Sequence, residues 1–156
     1  MKKIVTDSIM TQIAFLVEDM EESREKFSRF FGVEATQAVS AGEYPVVETI
    51  YNGRQAKEAG ALLSFIRVNP GCEIELIQPN HSPSIWRDWL NAHGEGFHHI
   101  AFQVPDMEKA IRECEEFGMK MVQRGYYSDK SGRYAYLDAM GQLKCCVELL
   151  ETFKRD

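Results

Sequence analysis

Two carboxylates, one imidazole and one carboxamide in this chain have the chemistry to hold a divalent metal ion together. They are Gln12, Glu75, His99 and Glu148. Alternation along strands would place all four on the same largely apolar face, where two unpaired carboxylates are costly to bury. A metal ion would offset that cost, and an oxygen-rich set with one imidazole suits Zn, Ni, Co or Mn. The sequence therefore predicts one metal site.

An internal repeat supplies the matched positions of these four residues. The segment QIAFLVEDME at residues 12–21 recurs as HIAFQVPDME at residues 99–108, and seven of the ten residues are identical. The segment EIELI at residues 73–77 likewise corresponds to CVELL at residues 146–150. The candidate ligands fall in these segments as two matched pairs, one in the openings and one in the closings. We interpret the chain as a duplication of one supersecondary unit.

Each copy is expected to fold as a βαβββ unit. A strand rich in β-branched and aromatic residues opens each copy and ends at an acidic helix N-cap, Asp19 or Asp106. The helices are predicted over residues 20–31 and 107–117, each followed by a glycine. Turn residues then separate three further strands, predicted at residues 44–51, 61–68 and 72–78 in the first copy and at residues 120–124, 134–138 and 144–150 in the second.

The predicted fold class is α+β, with both units in a single domain over residues 1–156. Module one covers about residues 9–80 and module two about residues 96–152. A linker helix is expected between them over about residues 82–94, with Ser82 as its N-cap and an apolar stripe that packs on the core.

Composition and charge argue against several classes of protein. The 18 Lys and Arg residues against 24 Asp and Glu residues give a net charge of -6, which disfavours nucleic-acid binding. No apolar run is long enough to span a membrane, and residues 1–4 do not resemble a signal peptide. The cysteines have no CxxC spacing, so we expect reduced packing thiols in a cytoplasmic protein; they are Cys72, Cys114, Cys145 and Cys146.

The openings, the closings and the segment IELIQPNHSPSIWRDWLNAHGEGFHHIAFQVPD together resemble the vicinal oxygen chelate superfamily. That superfamily includes glyoxalase I, methylmalonyl-CoA epimerase, extradiol dioxygenases and bleomycin-resistance proteins. The resemblance covers about residues 11–151. It implies that the two modules form a curved, partly closed mixed sheet around one site, with the four residues above as metal ligands.

The resemblance also implies an activity. It points to a metal-dependent isomerase or lyase that moves a proton next to a carbonyl through a metal-stabilised enediolate, similar to methylmalonyl-CoA epimerase. Gln12 is the residue that many glyoxalase I sequences carry, so a lactoylglutathione lyase is the alternative, although Leu16 stands where the glutathione-dependent enzymes often have arginine. Glu148 is the predicted base, and Glu58, an acidic residue just before a strand as in the epimerases, is the second.

Two further classes stay open at this point. A dioxygenase of the same fold normally uses two histidines and one carboxylate on iron, and Gln12 counts against it. A non-catalytic resistance protein generally lacks the ligand set that is present here. The expected partner is a small molecule, either an acyl-CoA or a glutathione-type thiol adduct, with no nucleic acid and no membrane. Family members often pair, so a homodimer is also expected.

Overall fold

Two copies of one unit build a ten-stranded mixed sheet in the computed structural model, which describes residues 3, 5 and 7–153. The strands are β1 (Ile9–Leu16), β2 (Val39–Ser40), β3 (Ile50–Tyr51), β4 (Arg54–Gln55), β5 (Ala61–Asn69), β6 (Cys72–Pro79), β7 (Gly96–Gln103), β8 (Lys120–Tyr126), β9 (Gly132–Asp138) and β10 (Cys146–Thr152). The helices are α1 (Met20–Phe31), α2 (Ile85–His93), α3 (Met107–Glu116) and α4 (Met140–Leu143).

The strand order across the sheet is β2-β5-β6-β1-β7-β10-β9-β8-β3-β4. The opening strand of each copy pairs in parallel with its own closing strand, β1 with β6 and β7 with β10. The two opening strands pair with each other in antiparallel fashion. The openings and closings of both copies therefore form the four central strands, which agrees with the predicted α+β arrangement of two joined modules.

The segment predicted as a strand over residues 44–51 folds differently. Only Ile50–Tyr51 is extended, and it forms a hairpin with Arg54–Gln55. Asn52 and Gly53 both have positive φ, 48° and 76°, as the tight turn of a two-residue hairpin requires. This hairpin pairs with β8 of the second copy instead of with its own module. An apolar run bounded by turn residues predicts an extended segment but does not identify the strand with which it pairs.

Helix boundaries follow the capping residues closely. Helix α1 spans the predicted residues, because the Asp19 side chain accepts from the Glu22 backbone N–H at 2.9 Å and Gly32 adopts φ 66°. Helix α3 ends one residue earlier than predicted, since Phe117 is its C-cap. Met140 and Gly141, which the sequence places in a turn between two predicted strands, begin the single turn of α4.

The linker helix begins later than the sequence predicts. Ser84, and not Ser82, is its N-cap and accepts a hydrogen bond from the Arg87 N–H at 3.1 Å. The Ser82 N–H instead donates to the Asn80 side chain, which holds the preceding residues in a turn. The Gln123 side chain accepts from the Ile85 N–H at 2.9 Å and thereby ties the start of α2 to the second module.

Apolar side chains occupy both faces of the sheet. On the outer face, Ile74 and Leu76 pack in one cluster with α1, while Val147 and Leu149 pack in another with α3, as strand alternation predicts. A third cluster on the inner face includes Trp86 of the linker helix. Apolar clusters therefore cover part of both faces of the sheet. The polar candidate residues lie on the inner face.

All four cysteines are free thiols, and three of them are buried. Within the part of the chain that the structure describes, no helix is both long and apolar enough to cross a membrane.

A substitution at Gly132, which lies at the start of β9, tests the close packing of the second module. A Cβ at this position would collide with the Glu151 carbonyl oxygen and the Tyr127 ring. We expect Gly132→Ala to lower the free energy of unfolding by about 1–3 kcal/mol, because a backbone atom cannot move aside cheaply. Urea denaturation measures the change.

Gly141→Ala is the matched control, since a Cβ there meets no atom within 4 Å. It should be neutral or stabilise the chain by up to about 1 kcal/mol. Equal effects of the two substitutions would contradict the packing of β9 described here.

Candidate metal centre

The four central strands each contribute one candidate ligand. In the order of the sheet, β6 carries Glu75, β1 carries Gln12, β7 carries His99 and β10 carries Glu148. Ala14 of β1 pairs with both Glu75 and His99, so these two residues lie at the same level along their strands. The duplication therefore delivers four polar side chains to one place on the inner face, all within a single chain.

Three of these side chains come into direct contact. His99 Nε2 lies 3.1 Å from Glu148 Oε2 and 3.4 Å from Glu75 Oε2. Potential ligand atoms of the three residues all lie within 4.8 Å of one another. All three residues are buried, and His99 is 0% exposed. This spacing leaves room for one ion between the three groups, at the centre of the cluster.

The polar atoms of this cluster lack ordinary partners. Gln12 Oε1, Glu75 Oε2 and His99 Nε2 are buried and form no hydrogen bond, although His99 Nε2 lies at ion-pair distance from both carboxylates. Leaving three such atoms unsatisfied in an apolar interior is costly. Two carboxylate oxygens, an amide oxygen and an imidazole nitrogen are ligands of divalent metal ions. The residues present therefore fit the metal ion that the sequence predicts.

Burial and charge shift the pKa values of this cluster in the metal-free chain. Burial raises the pKa of the Glu75 carboxyl to about 7, although its contact with His99 opposes the rise. Burial by itself would lower the pKa of His99, but the charges of Glu148 and Glu75 outweigh it and raise that pKa to about 9. A protonated His99 thus supplies positive charge between the two carboxylates.

His98 supports His99 from behind the cluster. The two Nδ1 atoms lie 2.9 Å apart, and the ring of His98 packs against Trp89 and Tyr136. Burial, followed by the charges of His99 and His93, lowers the pKa of His98 well below its usual range, so this ring stays neutral. A neutral His98 can accept the Nδ1 proton of His99, which frees His99 Nε2 to face the carboxylates. His98 accordingly lies beside His99 and outside the cluster of Glu75, His99 and Glu148.

A cavity of about 340 Å³ opens onto this cluster. Gln12, Glu75 and Glu148 lie in its lining, together with side chains from β2 and β5 at one end of the sheet and from β8 and β9 at the other. Strands so far apart in the order of the sheet can border one cavity only if the sheet curves around it. The site is therefore enclosed by the sheet and accessible to a small molecule.

Glu73 is a site residue that the sequence reasoning missed. It lines the same cavity and accepts a hydrogen bond from Gln12 Nε2 at 3.4 Å. The signal was available, because Glu73 stands two residues before Glu75 on one strand and so shares its face. It went unnoticed because the equivalent residue of the second copy is Cys146, so the repeat does not reproduce it.

Glu58 lies apart from this cluster. It is exposed on the turn before β5, and its backbone carbonyl accepts from the Asn80 side chain. It is not among the residues that line the cavity at the candidate metal centre. The structure thus brings together Gln12, Glu75, His99 and Glu148 but leaves Glu58 outside, and its role as a second base stays a prediction.

Residues 11–136 match the family described as the Glyoxalase/Bleomycin resistance protein/Dioxygenase superfamily. No curated protein matches the sequence.

Several solved structures share the fold at low sequence identity. A hypothetical protein from Bacillus halodurans is 18% identical with a TM-score of 0.66, over 97% of this chain and 99% of that one. Methylmalonyl-CoA epimerase from Mycobacterium tuberculosis is 17% identical with a TM-score of 0.68, over 99% and 93%. A variant of the Streptomyces coelicolor methylmalonyl-CoA epimerase, in complex with 2-nitronate-propionyl-CoA, is 19% identical with a TM-score of 0.65, over 92% and 94%. These similarities establish the fold that surrounds the candidate centre.

Replacing His99 should remove the only imidazole nitrogen facing the two carboxylates in the described cluster. We expect His99→Ala to lower metal content from about one ion per chain to well below half, because one ligand is lost. Elemental mass spectrometry on protein purified without chelator or affinity nickel measures the content. His93→Ala, at an exposed histidine, is the control and should retain the ion. Full occupancy of the His99 variant would refute the ligand assignment.

Metal binding should release protons, because His99 with a pKa of about 9 and Glu75 with a pKa of about 7 must both give up their protons to bind an ion. We expect about one proton per ion at pH 8 and about two at pH 6, so affinity rises with pH over this range. Calorimetric titration with Zn²⁺ in buffers of different ionisation enthalpy counts the protons. An affinity that does not change from pH 6 to 8 would contradict this arrangement.

Proposed function

This chain belongs to the Glyoxalase/Bleomycin resistance protein/Dioxygenase superfamily, and on that premise we propose that it is a metal-dependent isomerase or lyase. The proposed reaction moves a proton at the carbon next to a carbonyl group. One observation carries the proposal: ligand atoms of Glu75, His99 and Glu148 lie buried within 4.8 Å of one another. Gln12 lines the same cavity as the two carboxylates, and its buried Oε1, like Glu75 Oε2, forms no hydrogen bond. Purely structural polar residues would be expected to satisfy one another.

The ligand set would hold one divalent ion through Gln12, Glu75, His99 and Glu148. When bound, such an ion supplies Lewis-acid stabilisation of the negative charge that grows on a carbonyl oxygen as the neighbouring carbon loses its proton. The surrounding chain excludes water, since the ligand side chains are at most 8% exposed. This low-dielectric setting strengthens every charge interaction within it.

Glu148 is the proposed base. Its carboxylate lies in the cavity lining, where a substrate carbon can approach it. Tyr136 is its direct partner across the β9–β10 pair, so the two side chains share a face. Burial, then the charge of Glu148, raises the pKa of Tyr136 well above its usual value, so the hydroxyl keeps its proton. Glu148 would thus take the proton from the substrate, with Tyr136 beside it as a neutral donor.

Within this reaction class we favour an activity like that of methylmalonyl-CoA epimerase. Epimerases of that type are among the proteins that share the fold over nearly the whole length of both chains. An epimerase needs an acid or base on each face of the carbon. We propose Glu58 as this second group, in the role of second base that the sequence predicts. A lactoylglutathione lyase activity is the second candidate, favoured by the glutamine at position 12.

Two other activities have less support. The described cluster contains one histidine and two carboxylates, whereas an iron dioxygenase normally uses two histidines and one carboxylate. A binding protein without catalytic function would not need buried amide and carboxylate oxygens that form no hydrogen bond. Iron as the resident metal would favour the dioxygenase, and a chain that binds no divalent ion would favour the binding protein.

Four free cysteines suit a reducing compartment, and we propose the cytoplasm. We also propose a homodimer, as the resemblance implies. The substrate would be a small molecule, an acyl-CoA or a glutathione-type thiol adduct.

Glu148→Gln should abolish proton exchange at the substrate carbon, because an amide cannot accept that proton. We expect a loss of about a hundredfold or more. Deuterium uptake from heavy water into methylmalonyl-CoA, and into the hemithioacetal of methylglyoxal and glutathione, measures the rate by mass spectrometry. Metal content is determined on the same samples, so that loss of the base is separated from loss of the ion.

Glu116→Gln is the matched control, since it removes the same charge from an exposed position at the end of α3. Its exchange rate should equal that of the unaltered chain. Unchanged exchange in the Glu148 variant would eliminate the proposed role of this residue.

A further inference from the structure

An arginine lies on the strand that borders the candidate metal centre. Leu63 and Phe65 of β5 line the cavity at the metal centre, and Arg67 is the next residue in this alternation. Phe65 pairs with Glu75 of β6. A strand rises about 3.4 Å per residue, so Arg67 stands about 7 Å along β5 from the level of Glu75. The long side chain of an arginine can cover much of that distance.

A second, open cavity of about 640 Å³ adjoins the one at the metal centre. Arg67, Thr11 and Glu73 are among the residues that line it. Glu73 also lines the cavity at the metal centre, and Thr11 directly precedes the candidate ligand Gln12 on β1. Because the two cavities share Glu73, a ligand held at the metal centre can extend towards Arg67.

The Arg67 guanidinium has no partner among the residues that the structure describes. Its side chain is exposed, and the arginines that form ion pairs with described residues are Arg24 and Arg133. Glu73 accepts a hydrogen bond from Gln12 and forms no ion pair with Arg67, although both line one cavity. A guanidinium carries five N–H donors in a planar fork that matches a carboxylate. These donors are therefore available to a ligand.

The charges around the two cavities allow a negatively charged ligand. A divalent ion would offset the charges of Glu75 and Glu148, and Arg67 would offset the charge of Glu73. A substrate carboxylate that lies beyond the metal centre would then meet the guanidinium of Arg67 directly. Paired hydrogen bonds between a guanidinium and a carboxylate are short and strong, and they select for this group.

We propose that Arg67 determines substrate specificity by binding a free carboxylate on the molecule whose carbonyl group lies at the metal centre. This inference rests on the proposed function, which places the reacting carbonyl there. It narrows the substrates to compounds that carry a carboxylate near the reacting carbon. Methylmalonyl-CoA meets this requirement, whereas the thioester of a simple fatty acid does not.

Three hydroxamates with one shared chelating head and different tails measure this preference by binding alone. Butyrohydroxamate ends in a methyl group, succinic acid monohydroxamate ends in a carboxylate at the same position, and succinamide monohydroxamate ends in a neutral carbamoyl group of the same shape. Calorimetric titration of the zinc-loaded chain gives each affinity, and the affinity of each compound for free Zn²⁺ corrects for the head group. We expect the carboxylate compound to bind about fivefold more tightly than either neutral compound, because it gains charge-assisted hydrogen bonds.

Arg67→Gln should reduce this preference to less than about twofold, because the substitution removes the charged fork. Arg112→Gln is the matched control, since it removes the same charge from an exposed position on α3, which packs on the outer face of the sheet. It should leave the preference unchanged. Raising the salt concentration from about 0.05 M to about 0.5 M should weaken the preference of the unaltered chain, because the exposed charge of Arg67 is screened.

Equal affinities of the carboxylate and carbamoyl compounds, or a preference that survives Arg67→Gln, would overturn the inference, while deuterium exchange still decides the proposed function. The expected preference without any deuterium exchange would leave the inference standing and refute the proposed function. A chain that takes up no zinc, established by elemental analysis beforehand, would refute both.

Discussion

The structure depends on one electrostatic constraint: two carboxylates and an imidazole are buried together on the inner face of a β-sheet. Their mutual contacts at 3.1 and 3.4 Å replace the water that each group loses. In the metal-free chain a proton on His99 supplies the positive charge, and a divalent ion would supply more of it. The neutral His98 lies beside the imidazole, and apolar clusters cover both faces of the sheet around the site. Buried charge of this kind is seldom retained for stability alone.

Duplication of one supersecondary unit explains how short sequence patterns produce a site of four residues. Each copy contributes an opening and a closing strand, and antiparallel pairing of the two openings brings all four to the middle of the sheet. The repeat extends to the helix starts. The Gln78 side chain accepts from the Met20 N–H, and the equivalent Glu151 side chain accepts from the Met107 N–H. Each closing strand thus positions one ligand and, three residues later, caps the helix of its own unit.

The sequence predicts much of this arrangement because the signals are local and repeated. Helix α1 begins and ends at its capping residues, and strand alternation correctly separates Glu75 and Glu148 from the neighbours that face the helices. Prediction fails where partners are distant in the chain. The hairpin around Asn52 pairs with the other module, and the start of α2 depends on Gln123, which lies 38 residues away. Glu73 was missed because it has no counterpart in the second copy, so a search for repeated residues passes over it.

The segment between β2 and β3 has a mechanical consequence. Its two ends pair with strands from opposite ends of the strand order, because Ser40 pairs with β5 while Ile50 pairs with β8. The backbone between them is also attached on the way, through the Val47 carbonyl that accepts from the Tyr126 N–H at 2.8 Å. A stretch of about ten residues can span at most roughly 35 Å. Residues 41–49 therefore limit how far β5 and β8 can move apart. Because residues of both strands line the cavity at the candidate metal centre, this limit also restricts the width of that cavity.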